Sequence, residues 1–461
     1  MKKIIPIIVL TLAGTLMVVY NSPGQDNKWT LEECVLYAIE HNIQVKQQEL
    51  AADVQQNALK QSKYNLAPSL NGGAGHSYSF GRALDESTYQ FTDNETVLSD
   101  YFSLNSSVTL FNGFTNRKSI EQNKYNLQAS IQDVEKIKND ISLSIALAYL
   151  QILLNKELYE VAKNQYDITM EQIERTSKLV AAGSLARGSL LEIQAQAAFE
   201  ELQVVNTGNQ LDLSILNLTQ LLELDIVGDF DIIVPELQIP DEAELIEPVM
   251  TVYSEAIKIQ PQIIGAEFQL ESSEMGLDIA KGARSPRLSF NGSYNTRYSD
   301  IRQKVIEVDP VTHFPTAYGK YPFMDQLKDN VNYGLSLSLS VPIFNGWQVK
   351  QAISNARLNI EHSQYNLEYQ KNMLYKDIQQ AYADAKASLK KFHSSQRALV
   401  SMKESFRYTE QKFNVGLVNT IDYKTSKNQL ARTQSDLLQA KYEYIFKVKV
   451  LDFYRGKELS L

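Results

Sequence analysis

Tyr333-Gly334-Leu335-Ser336-Leu337-Ser338-Leu339-Ser340-Val341-Pro342-Ile343-Phe344-Asn345-Gly346-Trp347 is the stretch that decides the fold. Tyr333, Leu335, Leu337, Leu339, Val341 and Ile343 alternate with Gly334, Ser336, Ser338, Ser340 and Pro342. A two-residue period of this kind gives an extended strand one apolar face and one face of hydroxyls and hydrogen. Soluble strands usually show water a mixture of charged and polar groups. Here about ten residues pass without a charge, the length and pattern of a lipid-facing barrel strand with a wet interior. The strand stops at Phe344-Asn345-Gly346-Trp347, a turn signal flanked by two large aromatics of the kind that sit at a membrane interface.

The same pattern occurs earlier. Phe102, Leu104, Val108 and Leu110 alternate with Ser103, Asn105, Ser107 and Thr109, and the run ends in Phe111-Asn112-Gly113-Phe114, 233 residues before its later copy. At that offset Ile145 falls on Ile378, Ala148-Tyr149 on Ala381-Tyr382 and Gly183 on Gly416, with no gap. Upstream the offset is 218, matching Ala38 with Ala256 and Pro68-Ser69-Leu70 with Pro286-Arg287-Leu288. The chain is therefore one architecture made twice, and the second copy carries a loop 15 residues longer between its two strands.

At 461 residues with 44% hydrophobic content, the chain has no apolar run after its N-terminus long enough for a membrane helix. Barrel proteins share that property, since their strands alternate. Lys2 and Lys3 precede an apolar stretch to about Tyr20, followed by the small residues Ser22 and Gly24, the layout of a secretory signal peptide over residues 1–24. Its loss would take the formal net charge from −9 to −11. A basic nucleic-acid footprint is absent. Cys34 is the only cysteine, so no intrachain disulfide can form, and no cysteine follows the apolar run to accept a lipid.

Thr30-Leu31-Glu32-Glu33 is a capping box with Trp29 and Cys34 as its hydrophobic staple, predicting a helix to about Asn65 that Pro68 ends. A first strand is expected over Leu70 to Phe80. From Thr115 to Ala181 no proline appears, which predicts a helix of roughly 65 residues and about 100 Å. Its seam Leu127, Ile131, Val134, Lys138, Ile141, Ile145, Ala148 and Ile152 has heptad spacing. The second copy repeats that seam as Ile360, Gln364, Leu367, Lys371, Leu374, Ile378, Ala381 and Ala385. Glycines end both long helices, Gly183 and Gly416. Return helices should follow, capped by Ser189 with Glu192 three residues on, and by Asp422 in the second copy, running to about Leu224 and Tyr454. Between the copies an irregular connector is expected, with one short strand over Phe230 to Val234. The implied division is signal peptide 1–24, first repeat 25–225, connector 226–248, second repeat 249–455 and tail 456–461.

Each copy thus reads helix, strand, strand, long helix, turn, helix. Four strands cannot close a membrane barrel, because the smallest have about eight, so strands in a membrane force oligomerisation. Three chains would supply twelve strands.

With these residues in view, the chain resembles the TolC family of outer-membrane efflux ducts. The resemblance runs through the Trp29-Thr30-Leu31-Glu32-Glu33-Cys34 opening, the paired strand-Phe-Asn-Gly ends and the Val415-Gly416-Leu417 tip. It implies a mixed α and β membrane protein, a homotrimer with a shared twelve-stranded outer-membrane β-barrel continued by a long periplasmic α-helical coiled-coil barrel. It implies an exit duct of a tripartite efflux or type I secretion system, with a periplasmic adaptor protein and an inner-membrane pump as partners and outer-membrane lipid around its barrel. The adaptor would dock at Val415, Gly416, Leu417 and Gly183. The connector and C-terminal tail would form a belt around the tunnel's waist. The family closes its tunnel mouth with an Asp-x-x-Asp pattern after the second tip turn. Asp422 matches the first carboxylate, Thr425 stands at the second, and Glu192 is the repeat-equivalent of Thr425, so the constriction would be formed by Asp422 and Glu192.

Enzymatic constellations are missing. His41, His76, His313, His362 and His393 are scattered without metal-ligand spacing, and there is no Walker motif, GxGxxG or GxSxG elbow. The expectation is a passive conduit that is not an enzyme and uses no cofactor or metal. A secreted coiled-coil structural protein or adhesin would explain the heptads but not four charge-poor alternating strands. A general porin would explain the strands and leave the hairpins idle.

Overall fold

The computed structural model describes residues 28–82, 84–85, 90–91, 96–224, 230–235, 239 and 247–461. The expected signal peptide at 1–24 and most of the 226–248 connector lie outside the described residues. In the first repeat the elements are β1 (Lys28–Trp29), α1 (Leu31–His41), α2 (Ile43–Tyr64), β2 (Ser69–Ser79), β3 (Leu84–Asp85), β4 (Gln90–Phe91), β5 (Val97–Phe111), α3 (Thr115–Ala181) and α4 (Arg187–Leu221). The connector contributes β6 (Asp231–Ile232). The second repeat has α5 (Val249–Ile259), α6 (Pro261–Gly282), β7 (Arg287–Ser299), β8 (Gln303–Val308), β9 (Pro315–Lys320), α7 (Phe323–Asp329), β10 (Asn332–Ser340), α8 (Gln348–Asn414) and α9 (Thr420–Tyr454).

β10, β7, β5 and β2 lie side by side in that order as one antiparallel sheet. Its register separates two chemistries. Leu337 lies opposite Phe290, which lies opposite Val108; Tyr333, Tyr294 and Leu104 form another such row. On the other face Ser336, Asn291, Ser107 and Ser69 align, and so do Ser338, Ser289 and Thr109. The apolar face is left uncovered: Leu335, Leu337, Leu339 and Ile343 are all exposed, Ile343 at 95%. On the polar face Asn291 donates to Ser338 Oγ at 3.3 Å. The longer second-copy loop folds into the β8–β9 hairpin and α7, structure the sequence did not announce. Buried Gln326 anchors it, accepting from Ser299 N and donating to the Ser299 and Tyr321 carbonyls.

Both strand-to-helix corners turn through two consecutive left-handed residues, Gly113-Phe114 and Gly346-Trp347. A large aromatic at positive φ costs roughly 1–3 kcal/mol, so its recurrence at both corners marks a geometry that the surroundings hold. α3 and α8 then run 67 residues each, about 100 Å. The expected seam is the core: Val134, Ile141, Ile145, Ala148 and Ile152 are buried, as are Leu374, Ile378, Ala381 and Ala385, while Ile131 and Gln364 stay exposed. Its two lysines reach out of the seam to carboxylates, Lys138 to Glu135 at 2.9 Å and Lys371 to Glu267 at 3.7 Å. One window of α3 has mean hydropathy 1.3, apolar enough for a membrane helix by composition and so against the sequence expectation, yet half of it is buried inside the protein. Buried side chains of α3 build the core around Tyr149.

Around Tyr149, at what we call the waist, three distant segments meet. β1 pairs with β6 in parallel, and the Tyr149 hydroxyl donates to the carbonyls of Trp29 and Ile233. Leu459 of the tail joins the same cluster, as does Cys34, whose thiol is pushed up to about 12 by burial. The Thr30–Glu33 capping box is formed in both directions.

The single helix expected from Thr30 to Asn65 is two helices. Asn42 is extended, ends α1, and caps α2 by accepting from Gln44 N at 2.9 Å. Its amide donates to the Leu221 carbonyl at the end of α4, 3.2 Å away. The repeat-equivalent Gln260 breaks α5 from α6 and donates to the Tyr454 carbonyl at the end of α9, 3.1 Å away. The break thus satisfies helix-end carbonyls that would otherwise be orphaned. Pro261, which disfavours helical backbone at Gln260, marks the second break in the sequence.

The face assignment sets an expected outcome. Leu337→Arg or Leu339→Arg should cost about 2–4 kcal/mol near a bilayer midplane, whereas Ser336→Arg or Ser338→Arg should be tolerated. Yield of assembled protein from membranes is the measurement, and equal defects at both sets would refute a membrane strand.

Candidate functional site at the helical tip

Both long helices end in the same way. Gly183 has φ +73°; its N–H donates to Val180 O and that of Ser184 to Leu179 O. Gly416 has φ +78°; its N–H donates to Phe413 O and that of Leu417 to Lys412 O. Each is a complete Schellman motif, which requires the left-handed residue that glycine supplies without strain. No atom lies within 4 Å of where a Cβ would stand at either glycine, so both turns project into open space. Beside the second, Val415, Leu417 and Ile421 are exposed, Leu417 at 77%.

The return helices do not start as the sequence suggested. α4 is capped by the backbone of Ala186 with no side-chain bond, which puts Ser189 inside its first turn. α9 is capped by Asn419, whose Oδ1 accepts from Asp422 N at 2.8 Å. Asp422 is therefore not the cap. It is the third helical residue, exposed, with its carboxylate at the positive end of the helix dipole. Glu192 is exposed too, and borders a groove of about 320 Å³ together with Thr420, Ile421, Tyr423 and Lys424. Asp422 is not among that groove's lining, so within one chain the two carboxylates are not brought together there.

Two polar links that sequence reasoning missed join the hairpins. Arg175 Nη1 donates to Asn414 Oδ1 at 2.7 Å, tying the end of α3 to the end of α8. Deeper in, Lys427 of α9 is only 2% exposed. Its ammonium donates to Gln165 O at 2.5 Å and to both carboxylate oxygens of Glu200 at 3.0 and 3.1 Å, and bonds Thr169 Oγ1. Thr169 donates to Glu200 Oε2, and Gln196 donates to Glu200 Oε1 at 2.7 Å. Three helices, α3, α4 and α9, thus share one buried polar knot. Burial pulls the Lys427 ammonium below its ordinary value, against the opposing pull of Glu200. The knot is flanked by Tyr423, stacked on Phe413 at 4.5 Å and packed with Phe406 and Leu430. Lys427 takes a place in that core at helical spacing between Tyr423 and Leu430, the signal that could have found it.

No group of three or more His, Cys, Asp or Glu suited to a metal ion occurs among the described residues. The tip can bind and hold by shape and charge.

Comparison with known proteins follows the architecture. The outer membrane efflux protein family matches residues 37–223 and 252–456, one span per repeat. The chain is 22% identical over 455 residues to the outer membrane protein TolC of Escherichia coli, covering 96% of this chain and 84% of that one. It is 20% identical over 388 residues to the alkaline protease secretion protein AprF of Pseudomonas aeruginosa, covering 83% and 76% of the two chains. The crystal structure of the Campylobacter jejuni CmeC outer membrane channel superposes with a TM-score of 0.75 at 16% identity, covering 92% of this chain and 85% of that one.

The knot sets an expected outcome of its own. Glu200→Gln leaves a buried ammonium without its counter-charge and should destabilise the protein by about 3–5 kcal/mol at neutral pH, while Lys427→Met with Glu200→Leu should restore most of the loss. Below its free value, a buried lysine makes stability rise with pH, because the unfolded chain then binds more protons than the folded one. Denaturation of the Glu200→Gln protein should show that rise from pH 7 upward more strongly than wild type. A flat profile and an unchanged midpoint would mean the knot contributes nothing.

Proposed function

The chain belongs to the outer membrane efflux protein family, and we propose that three copies join their four-stranded sheets into one twelve-stranded barrel above a common helical tunnel. It is an outer-membrane exit duct of the efflux and secretion type, and the family is one of transport channels rather than enzymes. The stalk and adhesin alternative falls with that membership.

The observation that carries the trimer is the sheet with one lipid-like face and two open edges, β10 and β2. In hydrocarbon every backbone N–H and C=O must be paired, so those edges need each other. The internal repeat supplies the register. Within the chain β5 pairs with β7, Ser103 opposite Asn295. Moving β5 by 233 and β7 back by 218 predicts that β10 pairs with β2 of the next copy, Ser336 opposite Ser77 of the partner subunit. Faces then agree, hydroxyl beside hydroxyl. The corners support the same joint. A Cβ at Gly113 would meet Gly282 O at 2.4 Å and Ser285 Cβ at 2.6 Å, whereas nothing lies within 4 Å of one at Gly346. The equivalent filler for that second corner is the segment Tyr64–Ala67 of the partner subunit.

At the far end, Val415, Gly416, Leu417 and Gly183 form the docking surface for a periplasmic adaptor, which couples the duct to an inner-membrane pump. Threefold symmetry would gather Asp422, with Glu192 behind it, around the tunnel mouth, where like carboxylates attract cations and narrow the opening.

Two experiments test the assembly and the tip. Ser336→Cys with Ser77→Cys should oxidise to covalent oligomers up to a trimer on denaturing gels, whereas Ser340→Cys with Ser77→Cys, four residues out of register, should not. Buried Cys34, with its raised thiol, should not interfere. Crosslinking of both pairs alike would reject the register, and of neither the barrel. At the tip, Leu417→Asp should abolish export at unchanged trimer level, and Asp422→Ala should lower cation selectivity and divalent-cation block in planar bilayers, more so with Glu192→Ala. Wild-type export or wild-type conductance would remove the corresponding role.

A further inference from the structure

We propose that the β10–α8 corner of each chain holds one anionic phospholipid of the periplasmic leaflet, a site that rests on the outer-membrane barrel above. Between the α6–β7 and β10–α8 corners lies a pocket of about 330 Å³ whose lining includes Arg284, Pro342, Ile343, Phe344, Trp347 and Lys350. Its lining is mixed, two cations set among apolar and aromatic side chains. Among the described residues neither Arg284 nor Lys350 has a carboxylate within 4.0 Å. Lys350 Nζ instead rests 4.1 Å from the centre of the Trp347 ring.

The depth of the pocket fits a headgroup. The exposed apolar side chains of β10 from Tyr333 to Leu339, with Val341 and Ile343 just beyond its end, cover at most about 33 Å of extended chain, and at a tilt near 40° this rises about 25 Å, the height of a barrel's apolar band. The pocket opens where that band ends, at the level where tryptophan and tyrosine settle. A phosphate between Arg284 and Lys350 would leave its acyl chains to descend along Ile343, Val341 and Leu339, all exposed on that face. A zwitterionic lipid brings its own ammonium to compete with the two cations; a net anionic one does not. The site occurs once per chain, because the repeat-equivalent of Arg284 is Leu66. In the proposed assembly the segment Tyr64–Ala67 of the partner subunit would fill the flank of Gly346, as Gly282 and Ser285 do at Gly113.

Trp29 and Trp347 are the only tryptophans, so Trp29→Phe leaves Trp347 as sole reporter. In full-length protein reconstituted into phosphatidylcholine vesicles, a minor fraction of acyl-brominated phosphatidylglycerol should quench Trp347 as if enriched about fivefold over the same fraction of brominated phosphatidylcholine. Arg284→Gln with Lys350→Gln should equalise the two lipids and leave quenching in wholly brominated phosphatidylcholine unchanged. Equal quenching by both lipids in the unaltered corner, or a preference that survives the double substitution, would overturn the site while the barrel stands. Absence of quenching by any brominated lipid would overturn the site and the membrane barrel together.

Discussion

The sheet of this chain answers to one constraint: backbone polar groups in hydrocarbon must all be paired within protein. One chain makes four adjacent strands and stops, leaving β10 and β2 with open edges. A soluble protein would blunt such edges with charge, a bulge or a covering loop. Here the edge strand β10 carries no charge over its whole length and exposes a leucine at every second position. That combination is an aggregation hazard in water and a requirement in a membrane. Duplication offers a solution, because the joint between the two halves, β5 with β7, supplies the geometry on which the proposed pairing of one chain with the next is built.

The second constraint is length. Helices of about 100 Å cannot be held by one globular core, so cohesion is distributed, and its chemistry changes along the axis. At the waist Ile145, Ile152, Leu153, Leu218 and Ile378 are wholly buried, each such side chain contributing about 1.5–3 kcal/mol. Here the chain also ties itself together, with Tyr149 holding β1 and the connector through two hydrogen bonds. Toward the tip the apolar cluster shrinks to Phe406, Tyr423 and Leu430, and the Lys427–Glu200–Thr169 knot takes over.

How much of this could be read from residues alone depended on whether the signal was local. The strands were legible because alternation is a property of neighbours, and the 67-residue extent of α3 was legible because no proline interrupts it before the glycine that ends it. The short strand in the connector was legible in kind and came out shorter, Asp231–Ile232. The helix breaks at Asn42 and Gln260 were missed because their reason lies far away, in the carbonyls of Leu221 and Tyr454. Both helix starts were misplaced by three residues because Ala186, not Ser189, caps α4 with its backbone alone and Asn419, not Asp422, caps α9. The polar knot was hidden twice over: Glu200 and Lys427 are 227 residues apart, and a lysine is ordinarily read as surface.

The change of chemistry along the axis bears on how such a duct could be shut and still open. Apolar contacts are non-directional and lose little when helices slide by a fraction of an ångström, so they hold the waist as a unit without defining two positions. A buried ammonium with four oxygen partners tolerates no such drift: either its bonds are made or a charge is left in low dielectric, at a cost of several kcal/mol. If helices part to open the duct, that requirement falls on the tip and not on the waist. Arg175 with Asn414 at the surface and Lys427 with Glu200 beneath it lie on the same pair of hairpins, one exposed and one buried. The exposed link is worth little alone, being open to water and salt. The buried link is the one whose loss is costly, because it leaves a charge without its partner away from water.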